Sequence, residues 1–261
     1  MNMLTKQSTD LLVVGDKFHD FALGNDIVTL SQLDLMTKIP SKVLARNNSL
    51  VVGQGVRKDT VNNILKNYHE YNQQVSNVDL QILLEDQHSQ GINNYTHKKE
   101  EHNILIGKTT KVEENVYTLP LIIDERCELM GDHQSGKHLQ GMLLVEAFRQ
   151  TFIAVTEEFY PFLGDIKKYF VINSLNTQFH NFIFPIAANI VYKVNDIDIN
   201  ERREKVSSRI EAWQNDILCA SMEANFTVYP LDIISEKESE LAEKAISDHF
   251  IKINSNKIVS E

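Results

Sequence analysis

The chain has 261 residues, of which 42% are hydrophobic and 24% charged, and its formal net charge is -10. That length can bury a sizeable core in one large or two small domains. The acidity argues against a nucleic-acid partner, which requires clustered cations. No apolar run approaches the ~18 residues of a membrane span, and the start "MNMLTKQSTD" has no leader-like apolar stretch. Two cysteines, Cys127 and Cys219, make neither a disulfide framework nor a metal cage, so no metal or cofactor is expected, and the cytoplasm is the expected compartment.

Residues 1–90 read as a small α/β region. "DLLVVG" and "SLVVGQG" are β-branched runs closed by glycine, and "DIVTLSQL", Asp26–Leu33, reads as another strand. In "DTVNNILKNYHEY", Val61, Ile64, Leu65 and Tyr68 fall at helical spacing. "VDLQILL", Val78–Leu84, then reads as a strand, so the order suggests a parallel βαβ unit. "GQGVRK" looks like a nucleotide loop but lacks its third glycine, since Lys58 stands there, and it lacks the Gly-Lys-Ser/Thr of a P-loop. It is read as a structural turn. Glu85–Lys99 is polar and reads as a linker.

Residues 95–232 read as the second unit. "NILIGKTTKVEENVYTLPLII" predicts two short strands. From Leu139 to Val155 apolar residues occupy more than one stripe, which predicts a helix buried on most sides. The segments Lys168–Phe179, Asn189–Asn200, Lys205–Trp213 and Ile217–Tyr229 follow as strands. In the last two, Val206, Ser208, Ile210 and Ala212 alternate against Leu218, Ala220, Met222, Ala224, Phe226 and Val228 across the turn Gln214–Asp216, an antiparallel hairpin. A Ser-Glu-Lys-Glu capping box at Ser235 predicts a charged helix over 235–261. A buried helix followed by an antiparallel meander predicts an α+β hotdog fold, a helix wrapped by a curled sheet.

On that helix Glu146 and Arg149 are i, i+3 neighbours, and Gln150 lies one turn beyond Glu146. A buried ion pair is one reading, and a carboxylate tuned by an arginine for catalysis is the other. Gly141 and Met142 open the helix, where unpaired amides with an open approach can polarise a carbonyl. His133 precedes the helix as a candidate general acid or base, and His138 is a weaker candidate in the same pocket.

"THKKEEHNILIG", Thr96–Gly107, and "DHQSGKHLQGMLLVEAFRQ", Asp132–Gln150, together resemble the A-factor biosynthesis (AfsA) hotdog family. That family shows a His-Lys before an Asn-Val-Leu-Ile-like strand. An Asp-His…Asp-His-Val-Pro-Gly-Met segment then runs into Glu-Ala-Ala-Arg-Gln. The resemblance spans residues 95–230 and departs from the family at Lys137 and Gln140. It implies Glu146 and Arg149 as functional residues and an acyl transfer from a β-ketoacyl thioester, carried on acyl carrier protein or CoA. The route leads to a γ-butyrolactone-type quorum-sensing signal or another secondary metabolite. In the expected mechanism Glu146 is the base, Arg149 orients it or holds a phosphate, and His133 moves a proton. Gly141, Met142, His138 and Gln150 contact substrate. A dehydratase or thioesterase, or a non-catalytic acyl-binding subunit, are the alternatives. A lone hotdog leaves an open sheet edge, so a homodimer is expected.

Overall fold

The computed structural model describes residues 10–24, 26–38, 49–71, 80–84, 92–131, 135–160 and 167–259. Strands β1 (Leu11–Val14), β2 (Ile27–Thr29) and β3 (Leu50–Val52) form a parallel sheet in the order β2-β1-β3. Helices α1 (Leu30–Thr37) and α2 (Lys58–Tyr71) complete this layer. Two sequence expectations are corrected here. Asp26–Leu33 is only half strand, because Thr29 caps α1 and exchanges side-chain bonds with Gln32 in a capping box. The described part of Val78–Leu84, residues 80–84, is a turn running into a helical turn, with Leu80 and Leu83 packed on the helices rather than paired in the sheet.

Both faces of the parallel sheet are covered. Leu11 and Val13 point to the α1/α2 side, with Leu30, Leu33, Val61 and Ile64. Val14 and the following Phe18 and Ala22 join the main core instead. The "GQG" turn is what seats this layer. Gly55 holds a left-handed φ of 80°. A Cβ on Gly53 would lie 2.6 Å from the Pro185 carbonyl, so only glycine lets the two backbones meet. Between them, Gln54 is buried. It accepts from Ile123 N at 2.7 Å and donates to Leu121 O at 3.0 Å. The structural reading of this turn stands, and its job is docking.

The large sheet is antiparallel, in the order β4-β5-β7-β8-β9-β6. Its strands are β4 (Thr110–Glu113), β5 (Val116–Pro120), β6 (Lys168–Phe179), β7 (Asn189–Asn200), β8 (Arg203–Gln214) and β9 (Ile217–Pro230). Asn215 and Asp216 at the β8–β9 turn have φ of 49° and 62°. Two such residues give a type I′ turn, whose twist matches the strands. The alternation read from sequence sets the inner face: Val206, Ser208, Ile210, Ala212, Ala220, Met222, Ala224, Phe226 and Val228 are buried.

Helix α3 (Gly141–Phe159) lies in the curl of that sheet, with Leu143, Ala147, Phe148, Phe152, Ala154 and Val155 inaccessible to solvent. Phe152 stacks on Phe226 with centroids 4.4 Å apart. Fully burying such a side chain contributes roughly 1.5–3 kcal/mol, so this stripe holds helix and sheet together. The architecture is the hotdog arrangement expected from the sequence. The C-terminal helix α4 (Leu231–Val259) starts at Leu231, directly after β9, and not at the Ser235 capping box. Sheet continuity decides this boundary, since β9 leaves no room for a separate loop.

The linker expectation is also revised. Over its described part, Ile92 bridges Gly107, and Asn93 is buried with its amide on Gly107 O and Thr109. Thr96 is buried as well. Residues 92–96 are therefore fixed against the sheet, and they deliver His97 and Lys98 to α3.

One inward position on β8 carries a carboxylate. Glu204 is inaccessible to solvent, and neither carboxylate oxygen has a hydrogen-bond partner among the described residues. Burial raises its pKa from 4.5 to about 7; Lys168 opposes the rise and Glu157 adds to it. The fold thus favours the protonated form. That contribution is complete below the unfolded value and is lost as pH rises through about 7. Glu204→Gln should raise stability at pH 8 by up to about 3 kcal/mol and change little at pH 4, as read from urea melts at both pH values.

Candidate functional site

Helix α3 exposes one stripe. At 100° per residue, Met142, Glu146 and Arg149 share a face. Met142 is 58% exposed, whereas the side chains of Glu146 and Arg149 are 17% and 31% exposed. Arg149 grips the carboxylate with both arms of its fork, Nε to Oε2 at 2.7 Å and Nη2 to Oε1 at 2.9 Å. Lys98 Nζ reaches Oε1 at 2.8 Å, and Gln150 Nε2 donates to the same oxygen at 3.1 Å. Burial alone would raise the Glu146 pKa. The bonds from Arg149, Lys98 and Gln150 outweigh it and hold the group at about 2.

This environment changes the expected role of Glu146. A general base works best with a pKa near the operating pH. A carboxylate held at about 2, with four donor contacts, is a permanent anion. It orients Arg149 and Lys98, and the three charges leave one positive charge in excess. Arg149 Nη1 makes no hydrogen bond among the described residues, so this third nitrogen remains for a ligand oxygen.

Gln150 is inaccessible to solvent and serves structure first. Its Oε1 accepts from Leu105 N at 2.8 Å, and its Nε2 donates to Asn103 O at 2.8 Å. The substrate contact expected of it is replaced by this link to the 103–105 segment.

Lys98 stands in the His-Lys pair of the family-like motif, and its spacing in the sequence points to no role. The signal was its place beside His97, which adopts a left-handed φ of 58°. His97 pairs with Glu157 at 3.2 Å, and Lys168, only 5% exposed, pairs with Glu157 at 2.9 Å. The His97 bond and Lys168 lower the Glu157 pKa against the opposing effect of burial. Glu146 and Glu157 lie three turns apart on one helix face, so the His97–Lys98 dipeptide straddles the exposed stripe.

Gly141 and His138 are not gathered here. Gly141 lies about 140° round the helix from Glu146. Its missing side chain makes room for Phe179, since a Cβ would meet that ring at 2.8 Å. The space beside its Cα is therefore taken by Phe179 rather than open. His138 packs against Phe182, with centroids 4.5 Å apart, and faces Ser135 Oγ at 3.1 Å. No hydrogen bond links it to Glu146 among the described residues. His133 lies outside the described residues.

A helix wrapped by a single curled antiparallel sheet, with a charged cluster on its one open stripe, defines a hotdog protein. The family model of the A-factor biosynthesis hotdog domain, AfsA, matches residues 81–230. The chain belongs to that family. Solved structures resemble parts of the chain at low similarity. A thioesterase from Haemophilus influenzae is 14% identical, over 48% of this chain and 79% of its own, with a TM-score of 0.35. A mutant thioesterase from Pseudomonas aeruginosa is 14% identical, over 48% and 82%, with a TM-score of 0.34. A conserved protein from Pseudomonas aeruginosa is 15% identical, over 46% and 86%, with a TM-score of 0.33. No curated protein matches the sequence. No helix among the described residues is long and apolar enough to cross a membrane.

The depressed pKa of Glu146 has a stability consequence. Its contribution is present above the unfolded value near 4.5 and is lost as pH falls toward about 2. Glu146→Gln should therefore destabilise the protein at pH 7 by up to about 3 kcal/mol, and the gap to wild type should narrow to roughly half of that by pH 3. Thermal melts at both pH values check this.

Proposed function

We propose that this chain acts on acyl thioesters and transfers a β-ketoacyl group to a hydroxyl acceptor. The observation that supports this reading most is the Lys98–Glu146–Arg149 cluster on the open stripe of α3, inside the segment matched by the family. The acceptor hydroxyl oxygen attacks the thioester carbonyl carbon. The carbonyl oxygen becomes an oxyanion, the C–S bond then breaks, and the thiol leaves with the proton lost by the hydroxyl. Arg149 Nη1 and Lys98 are the donors for that oxyanion or for a phosphate on the acceptor. Glu146 positions both. His133 is the proton carrier in this scheme. Acyl carrier protein or CoA brings the acyl group, and the product feeds a γ-butyrolactone-type signal or another secondary metabolite.

The saturation of Glu146 favours this scheme over a dehydratase, in which the helix carboxylate itself must exchange a proton. The chain is further proposed to work as a homodimer. Strand β6 is a twelve-residue sheet edge with Tyr169, Ile172 and Phe179 exposed, and such an edge invites pairing.

The reaction is tested by incubating the protein with β-ketoacyl carrier protein, with and without dihydroxyacetone phosphate, and following acyl mass. Ester is expected only when the acceptor is present, and its rate should fall roughly 100- to 1,000-fold in Arg149→Lys. Free acid would indicate a thioesterase, an enoyl product a dehydratase, and tight binding without turnover an acyl-binding subunit.

A further inference from the structure

A second candidate site lies on the other face of segments 103–107 and 120–123 from the Glu146 cluster. A cavity of about 280 Å³ opens where the N-terminal layer docks on the large sheet. Its volume is at the small end of the range for ligand sites, roughly 300–1,000 Å³. Its position is one where such sites concentrate. In the β2-β1-β3 sheet the chain leaves β1 to one side and returns to the other, so β1 and β3 flank a switch point. Ligands of open parallel sheets bind outside the carboxyl ends of strands at such a point. Here the turn after β3, residues 52–59, forms one wall.

The carboxyl end of β1 is already filled. Glu125 reaches into it and accepts from Lys17 N at 3.2 Å, and its other oxygen pairs with Arg57 at 3.3 Å. A carboxylate of the chain itself thus occupies this strand end. The cavity is the space that remains beside this plug, next to β3 and the start of α2.

Its lining has two parts. Ile92, Ile104, Ile106 and Ile122, with Val52 and Val56, form an apolar floor. The rim carries three cations, Arg57, Lys58 and Arg126, and three anions, Asp59, Glu101 and Asp124. Most of these charges are already matched. Arg126 holds Asp124 with contacts of 2.6 and 3.0 Å. Asp59 bonds Thr60 N and lies 3.7 Å from Arg57. Lys58 and Glu101 are the exceptions: among the described residues neither has an ion-pair partner, and both are exposed. Lys58 stands at the first position of the fourteen-residue helix α2, where the helix dipole adds to its charge. A net anion is poorly matched to a balanced rim on a chain of charge -10. A neutral hydrocarbon leaves the rim unused.

We propose that this cavity binds a small zwitterion with an apolar body, of which an apolar α-amino acid is the simplest case. The carboxylate lies at Lys58 and the start of α2, the ammonium at Glu101, and the side chain on the isoleucine floor.

Isothermal titration with L-leucine tests this on the full chain, alongside 4-methylpentanoate, which lacks the amine, and 3-methylbutylamine, which lacks the carboxylate. Leucine should bind 1:1, and both truncated probes at least tenfold more weakly. Lys58→Glu, a change at an exposed position, should weaken leucine at least tenfold, as should Ile104→Trp, which fills the cavity. Glu146→Gln should leave leucine binding unchanged, so this result is independent of the thioester reading. No saturable leucine binding, equal binding of either truncated probe, or full binding by Lys58→Glu would each overturn the proposal.

Discussion

The side-chain amide of Gln150 is the bond on which the site depends. It sits inside α3 without solvent contact, yet it bonds Leu105 N, Asn103 O and Glu146 Oε1. A buried amide left without partners costs about 1–3 kcal/mol per lost bond. The 103–105 segment therefore has one favourable position against the helix, and Glu146 has one favourable rotamer. Arg149 and Lys98 then converge on a carboxylate that is already fixed. The cluster is rigid because its centre is held from inside the fold.

A second glutamine does the same work from the opposite side. Gln54 bonds Ile123 N and Leu121 O, next to the pair formed by Ile122 N and Leu105 O. Segments 103–107 and 120–123 are thus a two-stranded seam held between Gln150 of the central helix and Gln54 of the N-terminal layer. One face of the seam serves the Glu146 cluster, and the other forms the isoleucine floor of the cavity. The N-terminal layer is consequently part of the same packed body, with Val14 and Phe18 in the common core.

Much of this was legible in the sequence where side-chain period speaks for itself. Strands β6 and β7 have the bounds read from the chain, and the hairpin turn falls on Asn215 and Asp216. The pairing of Glu146 with Arg149 follows from helical spacing alone. Local competition hid other features. Asp26–Leu33 has strand-like composition, but the Thr29 cap with Gln32 turns the second half into helix. Partners distant in the chain hid the rest. Gly141 was read as an open approach, whereas Phe179, from the far end of β6, fills the space. Lys98 lies in a run of polar residues and gains meaning only when the fixed 92–96 segment brings it to α3. The buried state of Gln54 and Gln150 has no local signature, because glutamine is ordinarily a surface residue.

The central claim is that Glu146 is a fixed anion that positions Arg149 and Lys98, not a group that exchanges protons near neutrality. The direct measurement is a carboxyl ¹³C NMR titration of the folded protein, with the Glu146 resonance assigned by its loss in Glu146→Gln. The account predicts no titration of that resonance from pH 9 down to pH 4, with an inflection near 2 if the fold survives. A titration step between pH 5 and pH 7 would contradict it and restore Glu146 as the base.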